Sequence, residues 1–177
     1  LVLRDLDILR PMSESGLAGI MVSVTTLDRA LARTMEPRAS PPRRRVETIA
    51  QIAQAGIPVG VLASPMIPGL NDQELERILA ACARAGARWA GYILLRLPLE
   101  IKELFAEWLR EHYPLRAGRV LNLIRQTREG KLNQSEFGLR MRGTGPFAEL
   151  LRRRFEVACR RLGLNNNESR LDTSQFR

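Results

Sequence analysis

One histidine and two cysteines in 177 residues leave little for the usual catalytic or metal-binding sets. No Ser-His-Asp arrangement, paired carboxylates or zinc-ligand spacing is present. His112 stands before Tyr113-Pro114 at the expected end of a helix, where a cation is favoured by the helix dipole. Cys82 and Cys159 lie far apart on apolar helix stripes, as small buried hydrophobes do. Free thiols of that kind fit a reducing, cytoplasmic setting. No apolar run reaches the length of a membrane span, so no membrane partner is expected. The chain opens on alternating Leu, Arg and Asp without the pattern of a leader peptide. It begins at Leu1, not Met, and reads as a fragment.

Charge of one sign is in excess: 28 Lys+Arg against 19 Asp+Glu, a formal +9, with Arg far commoner than Lys. This balance favours polyanions such as nucleic acid without speaking to fold, and high-GC coding produces the same Arg- and Ala-rich composition. The apolar fraction of 45% is ordinary for a globular domain, and the length suffices for a sizeable core.

The organising stretch is Gly56 to Asp72. A helix-stopping glycine precedes a buried strand over Val59 to Ala63, which is expected to break at Ser64-Pro65. A turn follows through Pro68-Gly69, and Asn71 or Asp72 can cap the next helix. A second apolar strand runs from Gly19 to Val24, with Thr25 or Thr26 as cap of the helix carrying Leu27, Leu31 and Met35. A third runs from Ala90 to Arg96. Strands this far apart with helices between them predict right-handed βαβ crossovers and parallel neighbours in chain order. The helix before Gly56 carries Val46, Ile49, Ala50 and Ala53 at helical spacing, and the helix from Asp72 carries Leu75, Ile78, Leu79 and Cys82.

Residues 1–12 read as a further helix. After Leu99 the period is helical only, over about 99–112, 115–128 and 146–162, with a polar stretch from Glu129 to Pro146. Residues from Asn165 onward read as polar and extended, with Leu171 and Phe176 as their apolar contacts. The divisions are thus 1–98 for an α/β unit of a parallel sheet or barrel, 99–164 for a helical extension and 165–177 for a polar tail. Three parallel strands leave a bare edge beside Gly19–Val24, and strands lying outside this chain are expected to cover it.

Ser23, Ser64 and Arg96 fall at the ends of the three strands, the ligand-facing edge of parallel α/β sheets. The hydroxyls can bond a ribose or a carboxylate, and Arg96 can grip an anion; each hydroxyl can equally satisfy a local turn. Arg43-Arg44-Arg45 opens a helix, where the dipole disfavours cations and a bound anion would compensate; three solvated arginines are the commoner explanation of such a run. Gly143-Thr-Gly-Pro146 resembles a small anion-binding nest flanked by Arg140, Arg142 and Arg152-Arg-Arg154. Trp89, Tyr92, Trp108 and Phe147 could stack on bases if exposed, but most lie on apolar stripes. Nucleic acid is therefore one candidate partner.

Ser-Val-Thr-Thr-Leu-Asp28, Met-Glu-Pro-Arg-Ala39, Ala-Gly-Ile-Pro-Val59, Pro-Met-Ile-Pro-Gly-Leu-Asn-Asp72 and Leu-Arg-Leu-Pro98 occur in this order. With Arg-Met-Arg-Gly-Thr-Gly145 and Leu-Asp-Thr-Ser174, they resemble radical S-adenosylmethionine (SAM) proteins related to spore photoproduct lyase, in particular their uncharacterised bacterial branch. The resemblance implies an incomplete (βα) barrel and a [4Fe-4S] cluster held by a Cys-x3-Cys-x2-Cys loop, a motif this chain does not contain. On that basis the chain begins after the third strand, supplies the later half of the barrel and requires the missing N-terminal half.

The resemblance also implies that Ser23, Arg44 and Ser64 contact SAM, with Arg45 in place of Arg44 if the alignment slips. The radical-donating cysteine of the lyase has no counterpart. The implied function is that of the C-terminal part of an enzyme cleaving SAM reductively to a 5′-deoxyadenosyl radical, the chain alone binding no iron. The alternative is a non-catalytic basic module that binds nucleic acid or a protein.

Overall fold

The computed structural model describes residues 2–166 and 171–174. Three strands, β1 (Ile20–Ser23), β2 (Val59–Met66) and β3 (Trp89–Leu94), form one sheet in the order β1-β2-β3. Both pairs are parallel, as the crossover spacing predicts. The register places Ile20 opposite Val59 and Ser23 opposite Leu62, then Gly60 opposite Trp89 and Ala63 opposite Tyr92. Among the described residues seven α-helices accompany the sheet: α1 (Leu6–Glu14), α2 (Arg29–Met35), α3 (Pro42–Gln54), α4 (Leu75–Arg84), α5 (Ile101–His112), α6 (Pro114–Gln126) and α7 (Gly145–Leu162).

Alternation decides what each strand residue meets. Val59, Val61 and Ala63 are buried against Ile49 and Ile52 of α3 and Ile78, Leu79 and Cys82 of α4. On the other face lie Met21, Ser23, Leu62 and Ser64, which are more open to solvent; Met21 is 50% exposed. Gly60 separates Met21 from Trp89 on this face. A Cβ there would run into the Met21 sulfur and come within 3.1 Å of the Trp89 Cβ. The helices thus cover one side of the sheet and leave the other side comparatively bare.

A second cluster holds the extension together, with Leu109 of α5 and Val120 and Ile124 of α6 packed beside Ile67 and Leu97. Helix α7 instead joins the main core through Ala148, Leu151, Ala158 and Cys159. Arg154 fastens it there. Its Nε and Nη2 donate to the two Glu76 carboxylate oxygens at 2.7 Å each, and Nη2 also donates to the Asp72 carbonyl at 3.0 Å. That hydrogen bonding holds the Glu76 carboxyl below its usual range, against a smaller opposing effect of burial.

Because the folded-state value is depressed, the stabilisation is present above the ordinary carboxylate range and is lost as pH falls through the depressed value. Glu76 is 45% exposed, so water screens the pair. Arg154→Ala is expected to cost about 1–2 kcal/mol at neutral pH. In urea denaturation the gap to wild type should close in acid. An equal gap at pH 7 and at pH 3 would show that the Glu76 carboxylate contributes nothing, leaving packing and the bond to the Asp72 carbonyl.

Several local expectations are corrected. β2 does not break at Ser64-Pro65 but continues to Met66, with a register shift between Ala63 and Met66 and a cis Ser64–Pro65 peptide. Proline's missing N–H is tolerated where the ladder is already irregular. Neither Thr25 nor Thr26 caps α2; the Asp28 carboxylate accepts from the Ala30 and Leu31 amides at 2.7 and 3.3 Å. Asn71 and Asp72 lead into a short 3-10 turn without a side-chain cap bond. In the first helical stretch Ile8 is exposed, and Leu3, Leu6 and Leu9 pack against the main core.

In the polar tail the Asn165 side chain docks on β3, accepting from the Ala90 amide at 2.9 Å and donating to the Ala90 carbonyl at 3.1 Å. Leu171 is exposed, and Phe176 lies outside the described residues.

Candidate functional site

The carboxyl ends of the strands collect the polar residues that the core excludes. Thr25 donates its hydroxyl to the Ser64 carbonyl at 2.9 Å, tying the end of β1 to β2. Asn71, fully buried, accepts from the Ile67 amide at 2.6 Å and donates to the Thr25 and Pro65 carbonyls at 2.7 and 3.0 Å. Glu74, also buried, accepts from the Thr26 hydroxyl at 2.7 Å and from the Leu27 amide at 2.9 Å. These bonds hold the two strand-end loops in one arrangement. Sequence reading missed Asn71 and Glu74 in these roles; the signal was a run of four polar residues, Asn71 to Glu74, between the apolar Ile67 and the apolar stripe of α4.

Against this rigid frame the hydroxyls of Ser23 and Ser64 make no hydrogen bond within the described residues. Both lie on the bare face of the sheet, on adjacent strands. Helix α3 runs back against the strands, so its first turn lies beside the same ends. Arg45 locks it there: Nη1 donates to the Ser23 carbonyl at 3.1 Å, Nη2 pairs with Glu36 at 3.0 Å and Nε donates to the Ser40 carbonyl at 2.9 Å. Its side chain is only 14% exposed. Arg44, one residue earlier, is 61% exposed and only loosely paired with Glu47 at 3.7 Å. The structure therefore gives the adjacent arginines different work, one fixing backbone and one left with its charge in water.

Arg96 follows β3 at the same end of the sheet. Behind it lies Arg128, fully buried, which donates to the Leu94, Leu95 and Leu139 carbonyls at 3.2, 2.9 and 3.2 Å. Nothing in the sequence marked Arg128, which sits in the polar Gln126–Lys131 segment after α6.

The expected nest has a packing explanation. A Cβ on Gly143 would lie 2.8 Å from the Thr127 carbonyl, and one on Gly145 would lie 2.8 Å from the Gln126 carbonyl. Both glycines have positive φ and let the loop press on the end of α6. The flanking arginine run is largely neutralised within the fold. Arg152 pairs with Glu149 and Glu156, Arg153 with Glu149, and Arg154 with Glu76. Tyr92 packs against Phe155 with ring centroids 4.9 Å apart and the rings tilted at 52°, and the Trp108 indole donates to the Thr34 carbonyl at 3.1 Å, so both serve packing. Phe147 lines a groove with Arg116 and Arg119.

Residues 2–82, from the first helical turn to the end of α4, match the model of the radical SAM superfamily. The match takes in β1, β2, Ser23, Arg44, Arg45 and Ser64, and stops before β3 and Arg96. The chain is 37% identical over 91 residues to the uncharacterized protein ORF301 of Acidianus two-tailed virus, covering 49% of this chain and 30% of that protein. It is 28% identical over 128 residues to the uncharacterized protein Rv2578c of Mycobacterium tuberculosis, covering 71% of this chain and 38% of that protein. The chain thus spans about a third of the length of these relatives. No solved structure matches it.

Radical SAM proteins use SAM and a [4Fe-4S] cluster, and the two fit this chain differently. Thiolates are needed to ligate such a cluster. Burial pushes the Cys82 thiol up to about 12 and the Cys159 thiol up to about 11. Both are core side chains remote from the strand ends, and among the described residues no group of three or more His, Cys, Asp or Glu is placed to hold a metal ion. The cluster does not fit here. The strand ends themselves present two unpartnered hydroxyls, Ser23 and Ser64, and Arg44 stands in the first turn of the neighbouring helix with most of its side chain in water.

Proposed function

We propose that this chain is the later half of a radical SAM partial barrel of the spore photoproduct lyase-like kind and holds SAM at the ends of β1 and β2. The enzyme it belongs to would cleave SAM reductively to a 5′-deoxyadenosyl radical, with the cluster ligated by cysteines outside residues 1–177. The observation that carries this reading is the pair of unpartnered hydroxyls, Ser23 and Ser64, on the bare face of the sheet inside the matched segment. Within the chain, the serines donate to the polar groups of the cofactor. Arg44 meets its carboxylate, and Arg45 positions the Ser23 backbone.

Hydroxyl hydrogen bonds contribute about 0.5–1.5 kcal/mol and bonds to charged groups about 1.5–3 kcal/mol. Arg44→Ala should therefore weaken SAM binding about tenfold or more, and Ser23→Ala or Ser64→Ala less. The measurement is equilibrium dialysis of SAM with the full-length protein, together with 5′-deoxyadenosine formation under reducing, anaerobic conditions. Wild-type affinity and cleavage in all three variants would reduce these residues to turn-formers and end the site assignment, leaving the family match untouched.

A further inference from the structure

We propose that Arg96 and Arg128 form a subsite for a phosphate group carried by the substrate, with Arg96 as the contacting residue and Arg128 as the charge behind it. The proposal rests on reading the strand ends as the reactive face, but not on the identity of the cofactor bound there.

Arg128 has no exposed surface. A buried guanidinium ordinarily meets a carboxylate; this one meets three backbone carbonyls. Its ionised form is disfavoured first by desolvation and then by the charge of Arg96, with no acidic group acting to offset either. The Nε atoms of both arginines are shielded from solvent and unpartnered. Two like charges are thus held close together, each with a donor left over, at the carboxyl end of a parallel strand.

Such an arrangement costs free energy in the empty protein and is repaid by an anion. A carboxylate would neutralise one of the two cations, whereas a phosphate monoester, at close to two negative charges near neutral pH, matches both. Arg96 is the half that a ligand can reach, since it is only partly buried while Arg128 is enclosed.

The experiment is thermal unfolding of the full-length protein in sodium phosphate against sodium chloride at matched ionic strength, for wild type, Arg96→Gln and Arg96→Lys. Wild type should melt higher in phosphate. Arg96→Gln should lose that response, its phosphate affinity falling about tenfold or more. In chloride it should melt at the wild-type temperature or above, because the repulsion on Arg128 is relieved. Arg96→Lys, which keeps the charge but not the fork, should respond weakly. A short single-stranded oligonucleotide without terminal phosphates provides the second arm. Protection by orthophosphate alone identifies a small phosphate monoester, whereas Arg96-dependent binding of the oligonucleotide without an orthophosphate response would overturn the match to a doubly charged group.

No phosphate-specific response in wild type would overturn the proposal. So would a lower melting temperature for Arg96→Gln in chloride with its phosphate response intact. SAM affinity is measured alongside. If Arg96→Gln loses SAM and keeps the phosphate response, Arg96 belongs to the cofactor site and the subsite falls. If wild type responds to phosphate but binds no SAM, the subsite stands and the proposed function falls.

Discussion

Glu74→Ala is expected to be the most damaging single substitution at the strand ends, lowering stability by about 3–5 kcal/mol. The buried carboxylate accepts hydrogen bonds from the Thr26 hydroxyl and the Leu27 amide, and Thr26 in turn accepts from the Asp28 amide at 3.0 Å. Alanine would leave buried donors without acceptors and open a space in a region that cannot relax freely, since β1 and β2 are tied together alongside. Glu74→Gln has the right shape, but its amide NH2 would face a donor, so it should recover only part of the loss. Urea denaturation of wild type, both variants and Thr26→Ala gives the coupling between Glu74 and Thr26 directly. A Glu74→Ala protein within about 0.5 kcal/mol of wild type would mean that the carboxylate is no more than a surface charge.

Asn71→Ala comes second, at about 2–4 kcal/mol, because three buried backbone groups lose their partner together. The side chain donates to two carbonyls and accepts from one amide, and only a carboxamide supplies both kinds of group here. Asn71→Asp is therefore a sharper test than alanine. Its ionised carboxylate can still accept from Ile67, but it would confront the Thr25 and Pro65 carbonyls with negative charge, so it should be at least as destabilising at neutral pH. Stability of Asn71→Asp equal to wild type would show that the loop holds its shape without this side chain. On the proposed function, a loss of SAM affinity beyond the loss of stability is expected as well, since Asn71 fixes the backbone just after Ser64 and the Thr25 carbonyl at the end of β1.

The sequence made the sheet legible for a simple reason: its strands are short apolar runs bounded by glycine and polar residues, and few alternatives suit such runs. Helix faces were equally readable, as with Leu75, Ile78, Leu79 and Cys82. What escaped were polar residues whose role depends on distant partners. Thr25 and Thr26 have the chemistry of caps, but the buried carboxylate of Glu74, far along the chain, claims Thr26, and the Ser64 carbonyl claims Thr25. Arg44 and Arg45 are indistinguishable in sequence; only the turn of α3 decides which one reaches Ser23. Arg128 sits among polar neighbours and gives no periodic signal, although it is the largest fully buried charged side chain described. Pro65 misled because proline ordinarily ends a strand, and here β2 shifts register and continues.

The two margins of the sheet are treated unequally. Along the outer side of β3, the Ala90 amide is taken by the Asn165 side chain, and the Leu94 amide by the Met141 carbonyl at 2.9 Å. Asn165 imitates a peptide unit with its carboxamide, and Met141 offers a real one, so the polymer of strands is terminated on that side by single residues at both ends of β3. Among the described residues β1 has β2 as its one neighbour in the sheet. Addition of strands is consequently directional: a further segment, from this polypeptide's neighbouring sequence or from another molecule, can extend the array only beside β1.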